Sequence, residues 1–297
     1  MLPTALKRGD TIGLFSPSHI ATREKYSGFI KGMKAKGFAV KEADNLYKNT
    51  YGYLASERER ADDLNQLFAD PSVQMILFGG GNGALEVLPF LDYDMIRKNP
   101  KILCSYSDGT SILNAVHTRT GLVTYYGQAP YMFENMIPYD EANFEAHIVN
   151  GPASMHQKIS EWTTLRAGVC EGKLIGGYPR NLALMINTPF FTYDPQEKYV
   201  LFLEDHESIS SVSLLSMFIS CIEQHPFMQR VTGLLFGQYG ETQNAELIAR
   251  LTRMGEMYNI PVAYCHDFGH GDFNHAILPI GRQAKFDATN HNLHYFT

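Results

Sequence analysis

VQMILFGGGNG at residues 73–83 and KILCSYSDG at residues 101–109 share one construction. Each is an apolar run of strand length that ends in glycine and small polar residues and then leads into an amphipathic stretch. That pattern reads as a buried strand feeding a helix through a tight turn. Working outward, Thr11–Phe15 (TIGLF) is an earlier strand ended by Ser16-Pro17-Ser18, with a helix expected over 22–36 and a weak second strand at 38–40. Ser56-Glu57-Arg58-Glu59 has the form of a capping box, and Ala61, Leu64, Leu67 and Phe68 make the apolar stripe of the helix it opens. One helix is expected from the glycine run to about Arg97, and another over 108–119. Strands alternating with helices imply parallel pairing with helices on both faces. The expected class is therefore α/β, with an N-terminal doubly wound, flavodoxin- or Rossmann-like sheet whose ligands lie beyond the carboxyl ends of its strands.

Past residue 135 the periodicity weakens, and MIPYDEANFEAHIVNGPASMHQ is polar and turn-rich. This divides the chain into an N-terminal α/β domain at 1–135, a connection at 136–165 and a C-terminal α/β domain at 166–297. Strands are expected in the last part at 173–177, 199–203 and 231–236, with shorter ones near Val262, Ile277, 284–286 and 293–296. Helices are expected over 182–186, 212–222 and 245–258. This half reads as mixed and more antiparallel.

Composition narrows the function classes. There are 25 basic against 31 acidic side chains, a balance that offers no basic face to a nucleic-acid backbone. No window is long and apolar enough for a membrane span or a signal peptide, so a cytoplasmic protein is expected. Cys104, Cys170, Cys221 and Cys265 contain no C-x-x-C pair, which removes the zinc-ribbon and redox-dithiol readings.

Candidate chemistry centres on Ser107, the middle of Ser105-Tyr106-Ser107-Asp108-Gly109. A sharp strand-to-helix turn projects its central side chain and aims the next backbone N–H at the same point. Ser107 then sits where a nucleophile would, with the amide of Asp108 as an oxyanion donor. The alternative is a serine that caps the following helix. The glycine run 79–83 could supply further amides, or be a plain turn; it is neither GxGxxG nor a P-loop. A serine nucleophile needs a base and an orienting carboxylate. Glu204 ends an apolar strand, while Asp205 and Glu207 suit a helix N-terminus better. The segment 266–275 supplies His266, His270 and His275, with His270 between two glycines. A metal site built from His266, His270, Asp272 and His275 is the rival reading, weakened because Gly269 and Gly271 disfavour a helix there.

Taken together, the motifs resemble the LD-carboxypeptidase family of serine peptidases, including its microcin-immunity branch. They are GDTIGLFSPS (9–18), YLASERERADDLNQLFADPSVQMIL (53–77), LEVLPFLDYDMIRKNPK (85–101), YSDGTSILNAVHTRTGLVTYYG (106–127), KLIGG (173–177), VLFLED (200–205), GHGDFNHAILPIG (269–281) and FDATNHNLHYF (286–296). The resemblance implies Ser107 as nucleophile, Glu204 as orienting acid and His270 as base; the amides of Asp108 and Gly81, at the two turns, are the expected oxyanion donors. It implies a doubly wound domain bearing the serine, a mixed-sheet domain bearing the acid and base, and a homodimer.

The chain departs from the family pattern in its glycine run, near Glu86, and at Tyr178-Pro179 after Gly176-Gly177. The expected activity is serine carboxypeptidase hydrolysis of a muramoyl tetrapeptide, with no metal and no organic cofactor. The alternatives are a microcin-immunity-type hydrolase of peptidyl- or aminoacyl-nucleotides, an α/β-hydrolase-like esterase, and an inactive binding protein. The expected partner is a small peptide or peptidyl-nucleotide, not a nucleic acid or a membrane.

Overall fold

The structure, a computed structural model, describes residues 1–206, 211–238, 244–270 and 274–296. Five short parallel strands build the N-terminal sheet: β1 (Thr11–Leu14), β2 (Ala39–Glu42), β3 (Val73–Leu77), β4 (Ile102–Ser105) and β5 (Thr124–Tyr126). Their spatial order is β2-β1-β3-β4-β5, the flavodoxin-like doubly wound order. The order reverses between β1 and β3, so a crevice opens beyond their carboxyl ends.

Between these strands run α1 (Arg23–Ala35), α2 (Glu57–Ala69), α3 (Ala84–Val87), α4 (Tyr93–Lys98) and α5 (Thr110–Thr120). The capping box at α2 forms as read: Ser56 accepts from the Glu59 amide, and the Glu59 carboxylate accepts from the Ser56 amide at 2.8 Å. Leu64, Leu67 and Phe68 of its stripe are buried in the core. Each such side chain contributes roughly 1.5–3 kcal/mol.

The single helix expected up to Arg97 is broken. Leu88–Phe90 tightens into a 3-10 turn around Pro89, and Asp92 caps α4 by accepting from the Met95 amide. Proline lacks the N–H that a continuing helix needs, and a capping aspartate starts a new one. The stretch expected as a polar, turn-rich connection holds α6 (Pro138–Phe144), followed by a π-turn at Glu145–Val149. Pro138 stands in its first turn with Asp140 and Glu141, favourable at a helix start.

The second sheet contains β6 (Thr163–Arg166), β7 (Val169–Gly177), β8 (Tyr199–Glu204), β9 (Val231–Gly237) and β10 (Val262–Cys265). Three later strands are β11 (Leu278–Ile280), β12 (Gln283–Asp287) and β13 (Asn292–Tyr295). The sheet order is β13-β12-β7-β8-β9-β10-β6. It is mixed, as expected, but its centre β7-β8-β9-β10 is parallel and the antiparallel pairs are confined to the edges. The helices of this half are α7 (Pro179–Met185), α8 (Val212–Gln224) and α9 (Ala245–Tyr258).

β11 leaves this sheet and pairs antiparallel with β5, so the late chain closes an edge of the N-terminal sheet. Two separate sheets are not the continuous sheet of an α/β-hydrolase, and that alternative falls. The halves are joined through α5, where Asn114 Nδ2 donates to Thr110 O at 2.8 Å and to Gly176 O at 2.9 Å. No helix among the described residues is long and apolar enough to cross a membrane.

Candidate active site

β4 ends at Ser105, Tyr106 is extended, and Ser107 takes φ +56°, a left-handed conformation unusual for a residue with a side chain. Such a conformation costs on the order of 1–3 kcal/mol and persists only where its surroundings enforce it. Here the Ser107 N–H donates to the Tyr126 hydroxyl at 3.0 Å, and its carbonyl accepts from Thr110 Oγ1 at 2.7 Å. α5 starts at Thr110 with no side-chain cap on its N-cap residue Gly109, so Ser107 is not the helix cap of the alternative reading.

The glycine turn after β3 presses against this elbow. A Cβ on Gly80 would lie 2.6 Å from Ser107 Cβ and 2.9 Å from its Oγ, so only glycine fits there. Asp108 fastens the two turns together: its Oδ2 accepts from the amides of Gly83 at 2.8 Å and Ala84 at 2.7 Å, and its Oδ1 from Asn181 Nδ2. Arg60, itself buried, braces the same turn by donating to the carbonyls of Pro17 and Gly83 and to the Glu86 carboxylate. This pairing accounts for an acid at position 86, one of the departures.

Glu204 is the last residue of β8 and is fully buried. A carboxylate out of water needs partners on both oxygens. Oε2 accepts from the His270 backbone N–H at 3.0 Å and pairs with His270 Nδ1 at 2.8 Å, while Oε1 accepts from the Tyr126 hydroxyl. Burial, reinforced by the neighbouring Glu204 charge, pushes the Tyr126 phenol well above its ordinary range. It therefore stays protonated and donates. Gly269, at φ +122°, allows the loop to wrap this closely, since a Cβ there would stand 2.9 Å from Glu204 Oε2.

With Nδ1 committed to the carboxylate, Nε2 is the nitrogen of His270 left for chemistry. The ring is flanked by Tyr106 and Tyr178, with centroids 5.0 and 4.9 Å away, and by His206 at 4.3 Å. Tyr106 precedes the serine in the chain. Three segments far apart in sequence thus meet, with Tyr126 touching both the serine backbone and the acid. Tyr126 is not among the site residues expected from the sequence. Its one signal is a place at the carboxyl end of the strand beside β4.

The other residues of the histidine-rich segment serve elsewhere. His275 Nδ1 pairs with Asp140 at 2.8 Å. The His266 amide donates to Ser160 Oγ at 2.9 Å, and its carbonyl accepts from Asn274. Asp205 is buried beyond the end of β8, while Glu207 and Asp272 lie outside the described residues. Among the described residues no three His, Cys, Asp or Glu side chains gather as a metal cage would need. Pro179, unexpected in a helix, stands in the first turn of α7, where its missing N–H costs nothing. A pocket of about 260 Å³ opens beside the elbow at the switch point, lined by His19, Tyr26, Phe29, Gly80, Tyr106 and Tyr131.

The profile of the LD-carboxypeptidase N-terminal domain matches residues 12–127, and that of the LD-carboxypeptidase C-terminal domain matches residues 171–286. A Vibrio cholerae protein named "Putative carboxypeptidase" is 30% identical over 97% of this chain and 95% of its own length. The chain belongs to the LD-carboxypeptidase family. Its serine-peptidase membership rests on both halves of the molecule. Another relative is the microcin C7 self-immunity protein MccF of Escherichia coli, 27% identical over 99% of this chain and 95% of that protein. A solved MccF complex with aspartyl sulfamoyl adenosine matches at TM-score 0.86 and 24% identity, covering 100% of this chain and 98% of that one. The crystal structure of an MccF-like protein from Bacillus anthracis matches at TM-score 0.87 and 26% identity, covering 100% and 99%.

Proposed function

We propose that this LD-carboxypeptidase removes the terminal residue of a muramoyl tetrapeptide through an acyl-enzyme formed on Ser107. His270 Nε2 takes the Ser107 proton as Oγ attacks the scissile carbonyl, and Glu204 holds the imidazole and stabilises its charged form. The amides of Asp108 and Gly81 hold the oxyanion. The protonated imidazole then gives its proton to the leaving amine, and water enters by the reverse sequence to release the acyl group. No metal and no organic cofactor take part in this reading.

One observation carries it: a serine held at φ +56° in the cleft where a buried carboxylate orients a histidine through Nδ1. Ser107→Ala should lower kcat/KM on muramoyl tetrapeptide by about 10³ or more, and a fluorophosphonate should label the native protein at Ser107 alone. Undiminished turnover in that variant would remove the nucleophile assignment.

The kinship with MccF supports a second reading, hydrolysis of a peptidyl- or aminoacyl-nucleotide. Parallel assays with tetrapeptide and with an aminoacyl-nucleotide separate the two by the larger kcat/KM. A cytoplasmic homodimer belongs to the same proposal. Light scattering of the purified protein tests the dimer, and cell fractionation tests the location.

A further inference from the structure

We infer that Arg180 recognises the free C-terminal carboxylate of the substrate and so makes the site a carboxypeptidase rather than an endopeptidase. The inference rests on the catalytic reading above and adds its substrate-end specificity. Arg180 is the second residue of α7, half-buried, and reaches from the second sheet to the glycine turn of the first. Its guanidinium donates to the Gly81 carbonyl at 3.3 Å and packs on the Tyr178 ring, 5.1 Å from the centroid. No carboxylate among the described residues forms an ion pair with it.

Two contacts locate this charge relative to the reaction. Gly81 follows Gly80, the residue pressed against Ser107 Oγ, so the guanidinium contacts the turn at the residue one Cα–Cα step, roughly 3.8 Å, from the nucleophile's neighbour. On the other side, the Tyr178 ring that carries Arg180 also flanks His270, at 4.9 Å between centroids. The general acid must stand next to the leaving nitrogen when it returns its proton. Arg180 is therefore on the leaving-group side. In a terminal residue the carboxylate is two bonds beyond that nitrogen, through Cα, which brings it under a guanidinium placed there.

Arginine suits the task. Its planar fork matches a carboxylate in bidentate geometry, and the Gly81 carbonyl and aromatic face orient the fork before substrate arrives. An endopeptidase would continue the chain at this point and place a neutral amide against a half-buried cation, which forfeits the pairing energy.

The test compares two peptides that differ only at the terminus, a free acid and its primary amide. Their binding is measured by calorimetry to Ser107→Ala and to the double variant Ser107→Ala with Arg180→Gln. Ser107→Ala should prefer the acid by about hundredfold, and Arg180→Gln should erase that preference by weakening the acid alone. Arg180→Lys should restore part of it, because the charge returns without the fork. Equal weakening of acid and amide, or an acid preference that survives Arg180→Gln, overturns the assignment. So does a loss confined to an aminoacyl sulfamoyl nucleotide, which would make the ligand a nucleotide's leaving group.

Failure of the catalytic reading has a different signature. Turnover by Ser107→Ala would refute the nucleophile, and the acid-to-amide comparison is then read as a ratio of kcat/KM. Unchanged fluorophosphonate labelling of Arg180→Gln on the native serine excludes a general collapse of the cleft.

Discussion

Glu204–His270 and Asp140–His275 are built almost identically. In each, a buried carboxylate pairs with a histidine Nδ1 at 2.8 Å and also accepts from the backbone N–H of the same histidine, at 3.0 and 2.9 Å respectively. Their surroundings differ. His270 is flanked by Tyr106, the neighbour of a strained serine, and by Tyr178, whereas His275 Nε2 is buried with no hydrogen-bond partner among the described residues. Asp140 lies on α6, and the pair fastens the segment before β11, whose Ile277 amide also donates to Asn143 of that helix. An oriented imidazole is thus a general way to bury a carboxylate. In the proposed reaction it becomes a catalytic device at His270, whose ring stands beside Tyr106, the residue before Ser107.

The contrast breaks most sharply at the histidines. His270→Ala should cost about 10³ in kcat/KM. His275→Ala should leave kcat within about threefold while destabilising the fold by about 3 kcal/mol, since it strands the Asp140 carboxylate in the interior. Steady-state kinetics beside urea unfolding reads both; similar kinetic losses would erase the distinction. Glu204→Gln should be at least as severe, at roughly 10³–10⁴ in kcat, because the amide can donate to Nδ1 and so hold the ring in the wrong tautomer. Asp140→Asn should again appear in the unfolding midpoint and not in kcat.

Tyr126→Phe sharpens the comparison, since no phenol among the described residues donates to the Asp140 carboxylate. The variant removes a donor from Glu204 and a partner from the Ser107 amide, and kcat should fall about tenfold with KM little changed. A loss confined to KM would place Tyr126 in substrate binding.

A further contrast concerns a histidine that no carboxylate among the described residues accompanies. Both ring nitrogens of His147 are buried without partners among the described residues, and burial lowers its pKa from 6.5 to about 3. A group depressed in the fold binds its proton more readily in the unfolded chain. Stability is therefore complete above pH 6.5 and declines as pH falls from 6.5 towards 3, by up to about 1.4 kcal/mol per pH unit. His147→Phe should flatten that slope in denaturant titrations at pH 4 to 6.5. An unchanged slope would assign the acid lability to other groups.

Much of the fold was readable because its signals are local. The strand at 73–77, the Ser56 capping box and the amphipathic helix Ala245–Tyr258 each depend on residues within a few positions of one another. The break at Pro89 and Asp92 is equally local, and there the expected helix to about Arg97 is wrong because proline ends one helix and the capping aspartate opens another. Helix α6 was hidden because its buried residues include Asp140 and Asn143, polar side chains that only distant partners justify. The excursion of β11 to the other sheet had no local mark at all, since an apolar triplet pairs equally well with either edge.

The same division runs through the site. The amino-acid sequence by itself determined the turn that carries Ser107, because small residues after an apolar run favour a sharp strand-to-helix corner. It also determined that an acid would stand at the end of β8 and a histidine between two glycines. Tertiary structure alone decided which carboxylate and which histidine would be partners. Tyr126 reaches Glu204 across 78 positions and His270 reaches it across 66, over segments whose spacing carries no information about contact. It also decided that Arg180 would lean over the glycine turn, 99 positions away. The reason is physical. Backbone conformation responds to neighbours in the chain, whereas a buried charge is satisfied only by whatever the closing of two sheets brings within about 3 Å.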